Sequence, residues 1–175
     1  MPLTLRTARV GDVARISKLH ADLWRDSRAA FFDAEFIEDP LEAAMVAQWQ
    51  ELLRGRKRPG QVVVAMTGHQ LEGFANAVLA AGTAQIDHLE VREKMRGRGI
   101  GRSLLGLLAQ RMRQDGARAA TLAVPAGAEG LARFAKRFGG ILGPVVERER
   151  VGHPMPERSI AWADINRLIG ACATS

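Results

Sequence analysis

The order of secondary-structure signals predicts an α/β (α+β) chain built on one mixed sheet of about seven strands. Two observations carry that reading. Three runs with strand character, Gln61 to Met66, Leu71 to Ala80 and Ile86 to Val91, follow one another across turns at Thr67-Gly68-His69-Gln70 and Gly82-Thr83, the arrangement of an antiparallel meander. The third run is then joined through a leucine-rich helix to another short strand, Arg118 to Val124. A helix of that length between two strands requires a parallel crossover. The sheet is therefore expected to be largely antiparallel with one parallel central pair.

The remaining elements follow in order. Leu3 to Ala8 alternates as a first strand, and Gly11-Asp12 starts a helix with Val13, Ile16, Leu19 and Leu23 on one side. From Asp26 to Glu38 the helical periodicity fails, leaving a connection that carries Phe31, Phe32 and Phe36. Such aromatics either fold back onto a core or line the mouth of a site. Asp39-Pro40 supplies an N-cap and a first-turn proline for a helix running to Gly55 with Leu41, Met45, Trp49 and Leu53 in phase. Arg54, Arg56, Lys57 and Arg58 read as a solvated basic loop. After the crossover, Ala126 to Phe138 is a helix with Leu131, Phe134 and Phe138 inward, Ile141 to Val151 a strand, and His153-Pro154-Met155-Pro156 a turn. Glu157 to Ala163 closes that hairpin, and Asp164 caps a last helix in a tail over 164–175.

At 175 residues and 47% hydrophobic, the chain suits one domain over 1–175. The net charge of +6 and pI near 10.6 would suit nucleic acid, yet the arginines are spread out and cluster only in one glycine loop. No nucleic-acid partner is expected. The single cysteine, Cys172, excludes an internal disulfide and a cysteine-based metal site, so no metal is expected and a reducing, cytoplasmic setting is the default. Neither a signal-peptide core nor an apolar run of membrane-spanning length is present, and no membrane partner is expected.

The stretch that organises the chain is Ile86 to Leu108, IDHLEVREKMRGRGIGRSLLGLL. Between its strand and its helix lies Arg96-Gly97-Arg98-Gly99-Ile100-Gly101. Glycines at alternate positions leave the backbone amides uncovered, and the opening helical turn adds unpaired N–H groups and a positive dipole end. That is a receptacle for phosphate. Arg96, Arg98 and Arg102 add fixed charge suited to a pyrophosphate. The dinucleotide fingerprint fails, because the third glycine spacing and the later acidic residue are both missing. The triphosphatase loop fails too, because Gly101-Arg102-Ser103 lacks its lysine.

Leu89-Glu90-Val91, a short connection, then Arg96 to Gly101 opening a leucine-rich helix resemble the signature of the GNAT superfamily of acyl-CoA-dependent N-acyltransferases. Arg9-x-x-Asp12 before the first helix and the element order resemble the same family. The resemblance implies the GNAT fold, with helices on both faces and a central parallel pair that splays apart. It implies acetyl-CoA as co-substrate, with its pantetheine arm against the backbone near Leu89 and Val91 and its pyrophosphate on Arg96, Gly97, Arg98, Gly99, Ile100, Gly101, Arg102 and Ser103. The acceptor is then a primary amine on a small molecule or peptide, and a homodimer is the assembly left open.

Such a transferase must also take a proton from the amine, and Asp87, His88 and Glu90 are the candidates on the strand that delivers the thioester. Asp87 ranks first, because some aminoglycoside-modifying members of the family carry an Asp two residues before the Leu. Strand alternation sets Asp87 against His88 and Glu90, so all three face the substrate only if a bulge intervenes. One departure stands out. Where the family carries Asn-x-x-Ala-x-x-Phe-Tyr-Glu, this chain has Ala128, Leu131, Phe134, Ala135 and Lys136, and it contains no tyrosine at all. The acyltransferase reading therefore has a competitor on the same fold, a CoA-binding regulatory module that has lost catalysis, and a distant third in a basic nucleic-acid-binding domain.

Overall fold

The structure, a computed structural model, describes residues 1–54 and 60–174. The loop residues Arg56, Lys57 and Arg58 lie outside the described residues. Seven strands form one open sheet: β1 (Leu3–Thr7), β2 (Gly60–Thr67), β3 (Gln70–Ala80), β4 (Thr83–Val91), β5 (Ala119–Pro125), β6 (Ile141–Arg150) and β7 (His153–Trp162), in the order β1-β2-β3-β4-β5-β7-β6. Every neighbouring pair is antiparallel except β4 with β5. The helices are α1 (Val13–Arg28), α2 (Ala34–Glu38), α3 (Pro40–Arg54), α4 (Ile100–Gln114), α5 (Glu129–Arg137) and α6 (Ile165–Thr174). The meander, the crossover and the mixed sheet with one parallel pair are as the sequence predicts.

Two separate apolar clusters cover the two faces. Ile86, Leu104, Leu105, Leu108, Leu122, Ile160 and Leu168 bury one face under α4 and α6. Leu23, Trp24, Leu41, Met45, Trp49, Val64 and Phe74 bury the other under α1 and α3. α6 lies close on α4 because Gly106 has no side chain: a Cβ there would stand 3.1 Å from that of Cys172. At the start of α1, the buried Asp12 accepts two hydrogen bonds from Arg6 (2.7 and 2.8 Å) and one from the Arg9 amide (2.7 Å). The hydrogen bonds from Arg6 hold its carboxyl below the usual range, against the opposing effect of burial.

Two local features place the site. The parallel register of β4 and β5 runs from Thr83↔Ala119 to Ile86↔Leu122 and stops there. Beyond it β5 stays with β7, pairing Ala123 with Ser159 and Pro125 with Glu157, while β4 keeps only β3. The two central strands thus part from Asp87 onward. In β4 itself, Asn76↔His88 is followed by Ala77↔Ile86, so Asp87 is an extra residue, a β-bulge. Alternation resets at that point.

Three expectations are corrected. The segment after Asp26 is not irregular: α1 continues to Arg28, a 3-10 turn follows at Ala29–Phe31, and α2 is a further short helix. Its aromatics divide between the two readings, since Phe32 is buried in the core while Phe31 stays 41% exposed. The residues His153 to Pro156 are strand rather than turn, and the chain reverses at Val151-Gly152. Prolines fit there because both lie on one edge of β7, past the end of β5, where no ladder partner asks for their N–H. Finally, the most buried residues of α5 are Ala132 and Ala135; Leu131 and Phe134 pack against the core but stay half-buried as walls of a cavity, and Phe138 is buried as expected.

Candidate active site

Gly99 is the N-cap of α4 and sits in the left-handed region at φ 80°, as does Gly97 at 75°. Side chains other than glycine's adopt that region at a cost. A Cβ on Gly97 would meet nothing within 4 Å, so the loop is an open cradle of backbone. The first bond of the helix runs from the Ser103 amide to the Gly99 carbonyl (3.0 Å), which leaves the amides of Ile100, Gly101 and Arg102 in the unpaired first turn. At Gly101 a Cβ would stand 3.5 Å from the Phe134 ring of α5, an ordinary van der Waals contact that shows how closely α5 approaches the start of α4.

From this loop a cavity of about 910 Å³ runs into the gap between β4 and β5. Its walls include Leu89, Glu90 and Val91 of β4, Arg96 to Arg102 of the loop, Pro125, Gly127 and Ala128 at and after the end of β5, and Phe134 of α5. The Arg92 amide bonds the Glu72 carbonyl in β3 (2.8 Å). By alternation, the polar groups of Leu89 and Val91 then point away from β3 into the gap. Consistent with this, Arg96 Nε donates to the Val91 carbonyl (3.2 Å). Of the loop residues named from the sequence, Arg96 to Arg102 line the cavity, and Ser103 sits one step behind, its amide spent on the helix.

The bulge turns Asp87, His88 and Glu90 all toward the α1 face, but their surroundings differ. Glu90 lines the cavity with 14% of its side chain exposed and lies 3.4 Å from Arg28 Nη2. Burial pushes its carboxyl above the ordinary range, partly opposed by Arg28 and Arg96. Asp87 sits 3.4 Å from Arg150 and is not part of the cavity wall. Arg150 gives its Nε and Nη2 to the two oxygens of Glu157, each at 2.9 Å. Burial disfavours its charge, yet the hydrogen bonds and negative charge of Glu157, then Asp87, outweigh burial and hold it above the ordinary arginine value. His88 is buried behind the wall, its ring 4.4 Å from that of His20. The Trp49 indole donates to His20 Nδ1 (3.1 Å), which places the His20 proton on Nε2. Burial first, then the charges of Arg28 and Arg150 for His20, and of His20, Arg150 and Arg28 for His88, holds both histidines well below the ordinary value, so they are neutral.

The sequence reading missed the wall supplied by the end of α1, Ser27 and Arg28, which fall where helical periodicity fades; Phe31, in the 3-10 turn that follows, lines the cavity as one of its two readings allowed. In α5, the position where the signature carries tyrosine is Ala135, fully buried in the aliphatic core, and no hydroxyl of that residue can reach the cavity.

Residues 16–140 match the acetyltransferase (GNAT) family. Solved structures of similar shape include the PaiA N-acetyltransferase of Thermoplasma acidophilum in complex with coenzyme A, 16% identical over 90% of this chain and 98% of that one, with a TM-score of 0.69. A ribosomal-protein-alanine N-acetyltransferase from Brucella melitensis is 19% identical over 91% and 98% of the two chains, also at 0.69. YncA of Salmonella typhimurium, a putative acetyltransferase with its cofactor acetyl-CoA, is 18% identical over 94% and 95%, at 0.66. No curated relative matches by sequence. Among the described residues no helix is long and apolar enough to cross a membrane.

Proposed function

The chain belongs to the acetyltransferase (GNAT) family, and from that premise we propose that it transfers an acetyl group from acetyl-CoA to a primary amine, with Glu90 as the general base. The single observation that carries the proposal is the parting of β4 from β5 over a cavity that joins three elements: the glycine cradle, the unpaired edge of Leu89 and Val91, and a buried carboxylate between them. The cradle fits a pyrophosphate, since its amides are free of side chains and Arg98 and Arg102 flank it. An extended amide-bearing arm can pair with the β4 edge as an added strand would. A free N–H on that edge is placed to polarise a thioester carbonyl.

In the reaction, the amine nitrogen attacks the acetyl carbon, the carbon–sulfur bond breaks, the nitrogen's proton passes to Glu90, and the sulfur leaves as thiolate and takes a proton from solvent. Burial raises the Glu90 carboxyl, which makes it a stronger base than a surface glutamate once ionised. Arg28 keeps that ionised form accessible. An alkylamine has a pKa of about 10.4 and a thiol about 8.5, so removing the amine's proton needs more help than protonating the sulfur. The lack of tyrosine is compatible with this order of difficulty.

The test is thiol release from acetyl-CoA against polyamines, aminoglycosides, amino acids and peptide N-termini. Glu90→Gln should lower kcat by about 10²- to 10⁴-fold with little change in acetyl-CoA affinity, and the loss should shrink as pH rises toward the amine's pKa. Loss in Asp87→Asn with none in Glu90→Gln would move the base to Asp87. Tight CoA binding with no turnover of any amine would favour the regulatory-module alternative, for which the buried Ala135 speaks.

A further inference from the structure

Two largely buried arginines pair with the acids of β4, Arg28 with Glu90 on the cavity wall and Arg150 with Asp87 behind it, and only one has its hydrogen bonds filled. Arg150 spends its guanidinium on Glu157 and Asp87, at 2.9, 2.9 and 3.4 Å. Arg28, at the end of α1, is different. Its side chain is 8% exposed, it lines the cavity, and its Nη2 reaches Glu90 at 3.4 Å, but its buried Nε and Nη1 have no partner. The Trp24 ring lies against the guanidinium, its centroid 4.4 Å from Arg28 Cζ. Buried donors of a charged group are seldom left unfilled, and a guanidinium that keeps its charge out of water selects an anionic oxygen acceptor.

The neighbour of that cation fixes what else the ligand must carry. Glu90 lies beside Arg28 and draws a positively charged or proton-donating nitrogen, while Arg28 draws an anion, within 3.4 Å of one another. A molecule matching both must hold an amine and an anionic oxygen group a few ångströms apart. An α-amino acid carries both on one carbon. Phe31, exposed on the same wall, offers an apolar surface to the side chain.

We propose that the acetyl acceptor is a free α-amino acid, its carboxylate bound by Arg28 and its α-amine held at Glu90. This rests on the acetyl-transfer reading and adds the substrate class; the atoms exchanged are those of the reaction above. Arg28 is a specificity residue, touching the substrate without entering the proton transfer.

The experiment compares matched pairs in the thiol-release assay with the parent chain: each of the common L-amino acids against its carboxamide, for instance L-leucine against L-leucinamide and L-phenylalanine against L-phenylalaninamide. The acid should be preferred by about 10²-fold or more in kcat/KM for the amino acids that are turned over, because the amide leaves the cation unpaired. Arg28→Gln should bring that ratio to within about threefold of unity, and Arg28→Lys should restore part of it. The parent comparison needs no variant, so a folding defect at Arg28 does not remove the test. Amides accepted as well as acids, or no amino acid acetylated, overturns the proposal while leaving acetyl transfer standing if other amines react. Failure of the parent to bind acetyl-CoA by calorimetry overturns the acetyl-transfer reading first, and this inference with it.

Discussion

Against α4 and α6 the sheet buries Ala75, Ile86, Leu89, Leu105, Leu108, Leu122, Ile160 and their neighbours, all aliphatic or aromatic. Against α1 and α3 it buries, among its apolar residues, His20, Arg28, Asn76, His88 and Glu157. The difference follows the division of labour around the cavity. In the acetyl transfer proposed above, the α4 face would carry the cofactor half of the site, which is made of backbone and asks of the core only that a helix start be held rigidly against a strand. The α1 face would carry the acceptor half, where charge must be placed and a proton moved, and where low-dielectric surroundings alter each group's behaviour. Burying those polar groups costs stability unless each is paired, and several stay unpaired.

The contrast can be broken from the dry side first. Leu108→Ala removes a fully buried side chain from the middle of α4 and should cost about 2–5 kcal/mol in denaturant unfolding, the usual range for such a cavity. A loss under about 1 kcal/mol would mean that the face is loosely packed. Next comes the cradle. Gly99→Asp combines a left-handed backbone with a negative charge facing phosphate, and should weaken CoA binding by about 10²-fold or more, read by calorimetry, with the helix content unchanged in circular dichroism. Equal affinity would show that phosphate is not held there.

The wet face gives a smaller, pH-dependent effect. His20 and His88 face each other, Trp24, Trp49 and Phe74, with Arg28 and Arg150 the charged groups acting on them. Their folded values lie well below the unfolded one near 6.5. Unfolding therefore takes up protons once the pH drops below about 6.5, so their contribution is present above that pH and is lost as pH falls, by up to about 1.4 kcal/mol per pH unit for each ring. Urea unfolding at steps from pH 7 to 5 reads the slope, and His88→Leu should reduce it by up to half; an unchanged slope would place the proton uptake elsewhere. The smallest effect belongs to the dry face. Burial pushes the Cys172 thiol up to about 11, so it should react with a disulfide reagent at pH 8 far more slowly than a free thiol, and contribute no fast phase to thiol-release assays.

How much of the site the sequence made legible depends on whether a residue acts through its backbone or through its neighbours. The glycine loop was readable because glycine spacing and a helix start act locally, and its residues Arg96 to Arg102 line the cavity. The proposed base was not. Asp87, His88 and Glu90 lie within four residues, the bulge sets all three on one face, and only their partners across the sheet separate them into an Arg150-paired carboxylate, a buried neutral ring and a cavity-lining acid. Arg28 carried no signal at all, lying 62 residues from the Glu90 it pairs with.

What the sequence determined by itself is what short-range chemistry sets: the strands in order, the helices other than α2, the parallel crossover that a helix between two strands demands, and the glycine loop with its uncovered amides. Tertiary structure alone decided where β4 leaves β5, which face of β4 each acid meets, how far α1 runs, and which arginine is left with unfilled donors. The physical reason is that burial and pairing set the charge, basicity and reach of these side chains, and both are properties of groups brought together from distant parts of the chain.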